Sequence, residues 1–120
     1  MNKILVFDDE EAIRMLYELE LSEEGYEVIC SGDASRWLEL IRERSPRVVV
    51  MDKKMRSQDG LDILHKIRRY FPVLPLVLCT AHPSQCADEN PRVVDFHATK
   101  TSDLKDLKEK IGAALSLPRC

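Results

Sequence analysis

Three stretches of this sequence, Ile4-Leu5-Val6-Phe7, Val48-Val49-Val50-Met51 and Leu76-Val77-Leu78-Cys79, are apolar at every position. Apolar runs without alternation are what the strands of a parallel sheet covered on both faces require, because neither face meets water. Two further runs, Tyr26 to Cys30 and Val93 to Phe96, are interrupted by Glu27 and Asp95 and suit edge or near-edge positions. Between the runs the apolar spacing turns helical. A period that switches back and forth along the chain predicts alternating strands and helices, here five pairs.

The helices carry their own start and stop signals. The first, over about 11–24, places Ile13, Leu16, Leu19 and Leu21 among charged neighbours and stops at Gly25, which accepts the left-handed conformation that ends a helix. The second takes Asp33 as N-cap, buries Ala34, Trp37, Leu38 and Ile41, and ends before Pro46. The third, over 61–70, buries Leu64 and Ile67 before Pro72. The last starts after Ser102 as N-cap and buries Leu104, Leu107, Ile111 and Leu115. The fourth, over 82–90, is short and polar between Pro83 and Pro91, and only a turn or two of helix is expected. Nothing in the chain reads as a linker or a repeat, so residues 1–120 are expected to fold as one domain.

Composition narrows the setting. With 44% apolar and 32% charged residues, the chain has the balance of a globular protein, and no apolar run approaches a bilayer span. Acidic residues follow the first strand too early for a signal peptide, so a cytoplasmic protein is expected. Cys30, Cys79, Cys86 and Cys120 lack metal-ligand spacing and read as small side chains without chemistry. A net charge of -3 offers no attraction to nucleic acid, and Arg68-Arg69 reads as a solvated helix face.

The residues that carry chemistry stand where the strands end. Asp8-Asp9 follow the first strand, Asp52 closes the third, Thr80 closes the fourth and Lys100 follows the fifth. In an open parallel sheet, functional side chains gather outside the carboxyl ends of the strands. Right-handed crossovers bring the first and third strands together, so Asp8, Asp9 and Asp52 are expected to converge. Three close carboxylates repel one another, and one lysine cannot neutralise them. An oxygen-preferring divalent cation such as Mg²⁺ is the natural partner. A carboxylate, a cation clamp, a hydroxyl and a fixed ammonium suit in-line phosphoryl transfer, with Asp52 as the candidate nucleophile.

This arrangement resembles, over the whole chain, the receiver domain of bacterial two-component response regulators. The resemblance implies a CheY-like, flavodoxin-like (βα)5 fold: a doubly wound five-stranded parallel sheet in strand order 2-1-3-4-5, with a short or irregular fourth helix. It implies phosphorylation of Asp52 by a sensor histidine kinase or a histidine phosphotransfer domain. Metal ligation is implied for Asp9 directly, for Asp8 through water, for Asp52 and for the backbone carbonyl of Lys54. Met55 and Asp59-Gly60 match the loop after the acceptor. Thr80 resembles the hydroxyl switch position and Lys100 the phosphate-binding lysine, so Asp52, Thr80 and Lys100 are the implied reacting set. His97 stands at the aromatic switch position and Thr101 where the family has proline after the lysine. A signalling switch of this kind is not itself an enzyme; it acts on a downstream protein or on an output domain beyond this sequence.

Two other classes compete. A haloacid dehalogenase-type phosphatase also uses an aspartate nucleophile, a hydroxyl, a lysine and Mg²⁺, but it needs a second aspartate where Lys54 stands. A receiver-like interaction module independent of phosphate is the alternative that the His97 and Thr101 differences support. Flavin binding is disfavoured by an acidic turn where a phosphate cradle would need glycine and free backbone N–H groups.

Overall fold

The computed structural model describes residues 2–56, 58–81, 93–100 and 103–118. The strands are β1 (Lys3–Phe7), β2 (Glu27–Ser31), β3 (Val48–Asp52), β4 (Leu76–Thr80) and β5 (Phe96–Thr99), and the helices are α1 (Glu11–Glu23), α2 (Trp37–Arg44), α3 (Gly60–Tyr70) and α4 (Lys105–Leu115). The sheet runs β2-β1-β3-β4-β5 with every neighbour parallel. The run interrupted by Glu27 forms one edge of the sheet, as its composition predicts, and β5 forms the other. The helix expected over 82–90 lies outside the described residues.

Alternate residues of the apolar strands pack to opposite sides. Leu5, Phe7, Val49, Met51, Leu76 and Leu78 join the inner faces of α2 and α3, while Ile4, Val6, Val48, Val50, Val77 and Cys79 join α1 and α4. Every residue of β3 and β4 is buried, which explains why those runs carry no polar alternation. The pairings Phe7↔Met51, Asp52↔Cys79 and Thr80↔Thr99 align the carboxyl ends of four strands along one edge. The residues that follow those ends are thereby gathered.

Several local expectations are corrected. The fifth strand is Phe96–Thr99 and not Val93–Phe96. Val93 and Val94 are buried in the α2–α3 side of the core before the ladder begins. Asp95 then caps it: its N–H donates to the Leu76 carbonyl and its carboxylate accepts from the Leu76 N–H. An apolar pair can be core without being strand. On α1 the inner face is centred on Tyr17 and Leu21, while Leu19 is 59% exposed. The segment capped by Asp33 opens with a 3-10 turn, Ala34–Arg36, and buries Leu40 and Ile41 more fully than Trp37 or Leu38. Trp37 meets Tyr70 of α3 edge-on, with ring centroids 5.6 Å apart. Ser102, expected to cap the last helix, lies outside the described residues. The residue before α4 is Leu104, buried and left-handed at φ 56°.

Arg68 is not a solvated residue. Its guanidinium, on a side chain only 15% exposed, donates to the carbonyls of Phe71, Pro72, Leu74 and Val93 and pairs with Asp95 at 2.8 Å. One planar fork thus ties the end of α3 to the entries of β4 and β5, at the edge of the sheet opposite the acidic residues. Arg68→Ala strands those carbonyls and the Asp95 charge, so urea denaturation is expected to show a loss of about 2–4 kcal/mol. Arg68→Lys recovers little of it, because an ammonium cannot reproduce the fork.

Candidate functional site

The turn after β1 is held from both sides. The Asp8 N–H donates to Ser31 on β2, the Asp8 carbonyl accepts from Arg14 Nη1 at 2.8 Å, and Asp8 Oδ1 accepts from the Glu10 N–H at 2.9 Å. Asp8 is completely buried. Asp52 ends β3 and is 5% exposed, with the Lys54 N–H facing its Oδ1 at 3.4 Å. The next turn packs tightly: the Gly60 N–H donates to the Lys53 carbonyl, and Asp59 caps α3 through the Leu61 N–H. Met55 is buried in the core. A Cβ on Gly60 would collide with the Asp52 carbonyl, so only glycine lets α3 start this close to the acceptor strand.

Lys100 joins the two acidic loops. Its ammonium lies 3.0 Å from Asp52 Oδ2, 3.2 Å from Asp8 Oδ2 and 3.6 Å from Glu10 Oε1. Its own N–H is bonded to the Thr80 carbonyl at 2.8 Å, which fixes it against β4. A cavity of about 210 Å³ opens among Glu10, Asp52, Lys53, Lys54, Thr80, Ala81 and Lys100. Asp52, Thr80 and Lys100 therefore share one pocket, with Asp8 beneath it. Thr80 is largely buried, at 8% exposure. His97 is half-buried within β5 beside Leu78, on the sheet face that α2 and α3 cover.

The charges explain the titration behaviour. Burial pushes the Asp52 carboxyl above the usual carboxylate range, and the charge of Asp8 adds to this, while the Lys100 bond opposes it without prevailing. Partial burial alone would lower the Lys100 ammonium, but Asp52 and Asp8 outweigh it and hold the proton more firmly. A strong ion pair and a reluctant carboxylate coexist because one cation faces several acids.

The carboxylate oxygens of Asp8, Asp9 and Glu10 lie within 4.8 Å of one another. Asp8 Oδ2 is buried, and apart from its ion pair with Lys100 it has no hydrogen bond among the described residues. Hard oxygen donors with an unsatisfied buried carboxylate fit a divalent cation of the Mg²⁺ type. Glu10 escaped the sequence reading. It is third in an acidic run, where helix-dipole compensation is a sufficient account, and only the fold brings it to Lys100.

Beneath the acceptor, the Tyr17 hydroxyl and Cys79 Sγ lie 3.6 Å apart. Burial pushes the Cys79 thiol up to about 11, and burial also raises Tyr17. The folded state therefore holds these protons more tightly than the unfolded chain does. Stability is complete below the unfolded thiol value near 9 and falls as pH rises toward 11. Urea melts at stepped pH are expected to show this alkaline loss, and Cys79→Val is expected to reduce its slope by at most ~1.4 kcal/mol per pH unit.

A five-stranded parallel sheet carrying an acidic pair, a strand-end aspartate and a bridging lysine on its carboxyl edge defines a receiver-type α/β protein. The response regulator receiver domain model matches residues 4–111, and the chain belongs to that family, the receiver module of two-component systems. Response regulator TrrA of Thermotoga maritima, crystallised in complex with Mg²⁺-BeF, is 31% identical at a TM-score of 0.86, over 95% of this chain and 99% of that one. TrrA in complex with histidine kinase ThkA gives 32% identity and a TM-score of 0.87, over 97% and 100% of the two chains. The receiver domain of NtrX from Brucella abortus is 31% identical at 0.83, over 96% and 99%. Such domains are typically signalling modules and not enzymes. Among the described residues no helix is long and apolar enough to cross a membrane.

Proposed function

We propose that residues 1–120 form one receiver domain that accepts a phosphoryl group on Asp52 and acts as a cytoplasmic signalling switch. The observation that carries this reading is the Lys100 ammonium shared between Asp52 and Asp8 at 3.0 and 3.2 Å, at the floor of a pocket open to a donor. A Mg²⁺ ion held by Asp8, Asp9, Asp52 and the Lys54 carbonyl, with Glu10 close by, would offset the negative charge of phosphoryl oxygens. An Asp52 carboxylate oxygen attacks phosphorus in line. The bond to the donor breaks and the acyl phosphate forms. Lys100 and the Thr80 hydroxyl then bond the new oxygens, and Lys53 and Lys54 at the rim favour an anionic donor.

By the likeness to the kinase-bound TrrA, the donor is a sensor histidine kinase or a phosphotransfer domain. The added charge biases the loops after β4 and β5, with Thr80 and His97 as the switch pair, toward a downstream protein or an output domain. Neither nucleic acid nor membrane is a direct partner of this module.

The test is intact mass after incubation with acetyl phosphate. A gain of one phosphoryl group that requires Mg²⁺ and maps to Asp52 is the expected result. No gain, where a control receiver is labelled, would leave the phosphate-independent interaction module as the better reading.

A further inference from the structure

The end of β5, next to Lys100, is bonded to a residue of α4. β5 is an edge strand, so alternate N–H groups point away from the sheet and need other partners. The Lys100 N–H points inward to the Thr80 carbonyl. The neighbouring Thr99 N–H donates instead to Asp106 Oδ2, at 2.7 Å. Asp106 Oδ1 in turn accepts from Lys110 Nζ at 2.7 Å, one helical turn on. These bonds, Lys110 first and Thr99 second, hold the Asp106 carboxyl below the usual range, so it stays ionised as an acceptor. Leu104, left-handed and buried, anchors the start of α4 in the core beneath.

We propose that Asp106 is a positioning residue for Lys100, fixing the backbone from which the ammonium reaches Asp52 and Asp8. The inference rests on the phosphoacceptor reading and adds to it a part of the machinery outside the pocket. The bond from Asp106 to Thr99 adds a side-chain restraint to the backbone one that the Thr80 carbonyl places on Lys100. Removing it frees the Thr99 N–H, lets the end of β5 move and misplaces the ammonium. Misplacement by about 1 Å is enough to slow a positioned reaction by tenfold or more.

The experiment compares acetyl phosphate labelling rates with Mg²⁺ in the wild type, Asp106→Ala, Asp106→Asn and Lys110→Met, alongside amide exchange by NMR. Asp106→Ala is expected to label about tenfold more slowly, with faster exchange at the Thr99 and Lys100 amides and unchanged exchange at Leu78. Asp106→Asn, whose amide oxygen can still accept from Thr99, is expected to stay within about twofold of the wild type. Lys110→Met loses the same ion pair but keeps the Thr99 bond, and it too is expected to label normally; a merely structural ion pair would make it as slow as Asp106→Ala. Wild-type rates in Asp106→Ala, or equal slowing in Lys110→Met, would overturn the proposal. If the wild type itself is not labelled, the phosphoacceptor reading fails and amide exchange alone decides: no change at Lys100 in Asp106→Ala overturns the positioning role, and selective acceleration supports it.

Discussion

Asp52→Asn is expected to take up no phosphoryl group from acetyl phosphate at any Mg²⁺ concentration, yet to fold at least as stably as the wild type. The two halves have one cause. The carboxylate proposed as the nucleophile is also a buried charge, 5% exposed, with Asp8 facing the same ammonium. Its folded-state pKa is raised by burial and by Asp8, so the native state is stabilised by its proton, and that stability is lost as pH rises through the folded value. At neutral pH the ionised form is a cost that an amide of the same shape does not carry. The urea midpoint of the variant is expected at or above that of the wild type. Mg²⁺ should reverse the order: a ligand at a hundred times its Kd stabilises by about 2.7 kcal/mol, and the variant, short of one carboxylate, should gain less. Asp52→Asn labelled like the wild type would remove Asp52 from the mechanism.

Gly60→Ala is expected to damage stability and activity together. The added methyl collides with the Asp52 carbonyl and lies 2.9 Å from Met51 Cγ, so either α3 or the end of β3 must shift. Neither is soft. Gly60 is bonded through its N–H to Lys53, and β3 is buried along its whole length. Overpacking of this kind typically costs about 1–3 kcal/mol, which should lower the melting temperature by roughly 5–15 °C in a domain of this size. Asp52 moves with its own carbonyl, so labelling should slow by at least about tenfold in the surviving folded protein. Gly112→Ala is the control, since a Cβ there meets nothing within 4 Å. A Gly60→Ala protein that melts and labels like the control would show that the turn accommodates a side chain.

How much of this could be read from the residues follows from what each signal depends on. Ile4 to Phe7, Val48 to Met51 and Leu76 to Cys79 are buried on both faces, and a segment with no wet face cannot hide the fact in its composition. Right-handed connections place β1 beside β3, and the full strand order came with the resemblance to receiver domains. Asp8, Asp9, Asp52, Thr80 and Lys100 were legible because each stands at the end of its own run, and topology leaves those ends on one edge. What failed was local in appearance and tertiary in cause. Val93 and Val94 look like strand but fill the core before the ladder begins, because Asp95 and Arg68 set where pairing starts. Arg68 looks solvated because its carbonyl partners lie in a loop and in another strand's entry.

The sequence by itself determined the class of fold, the candidate reacting groups and the edge on which they meet. These depend on periodicity and on strand ends, which are properties of neighbours along the chain. Only the tertiary structure decided that Glu10 joins Asp8 and Asp52 around one ammonium, that Gly60 is glycine because a backbone carbonyl occupies the space of its Cβ, and that Asp106 holds the strand from which Lys100 reaches. Ion pairs and close approaches are fixed by distance in space, and a carboxylate carries the same sequence signal whether it caps a helix, faces water or accepts from the N–H of an edge strand.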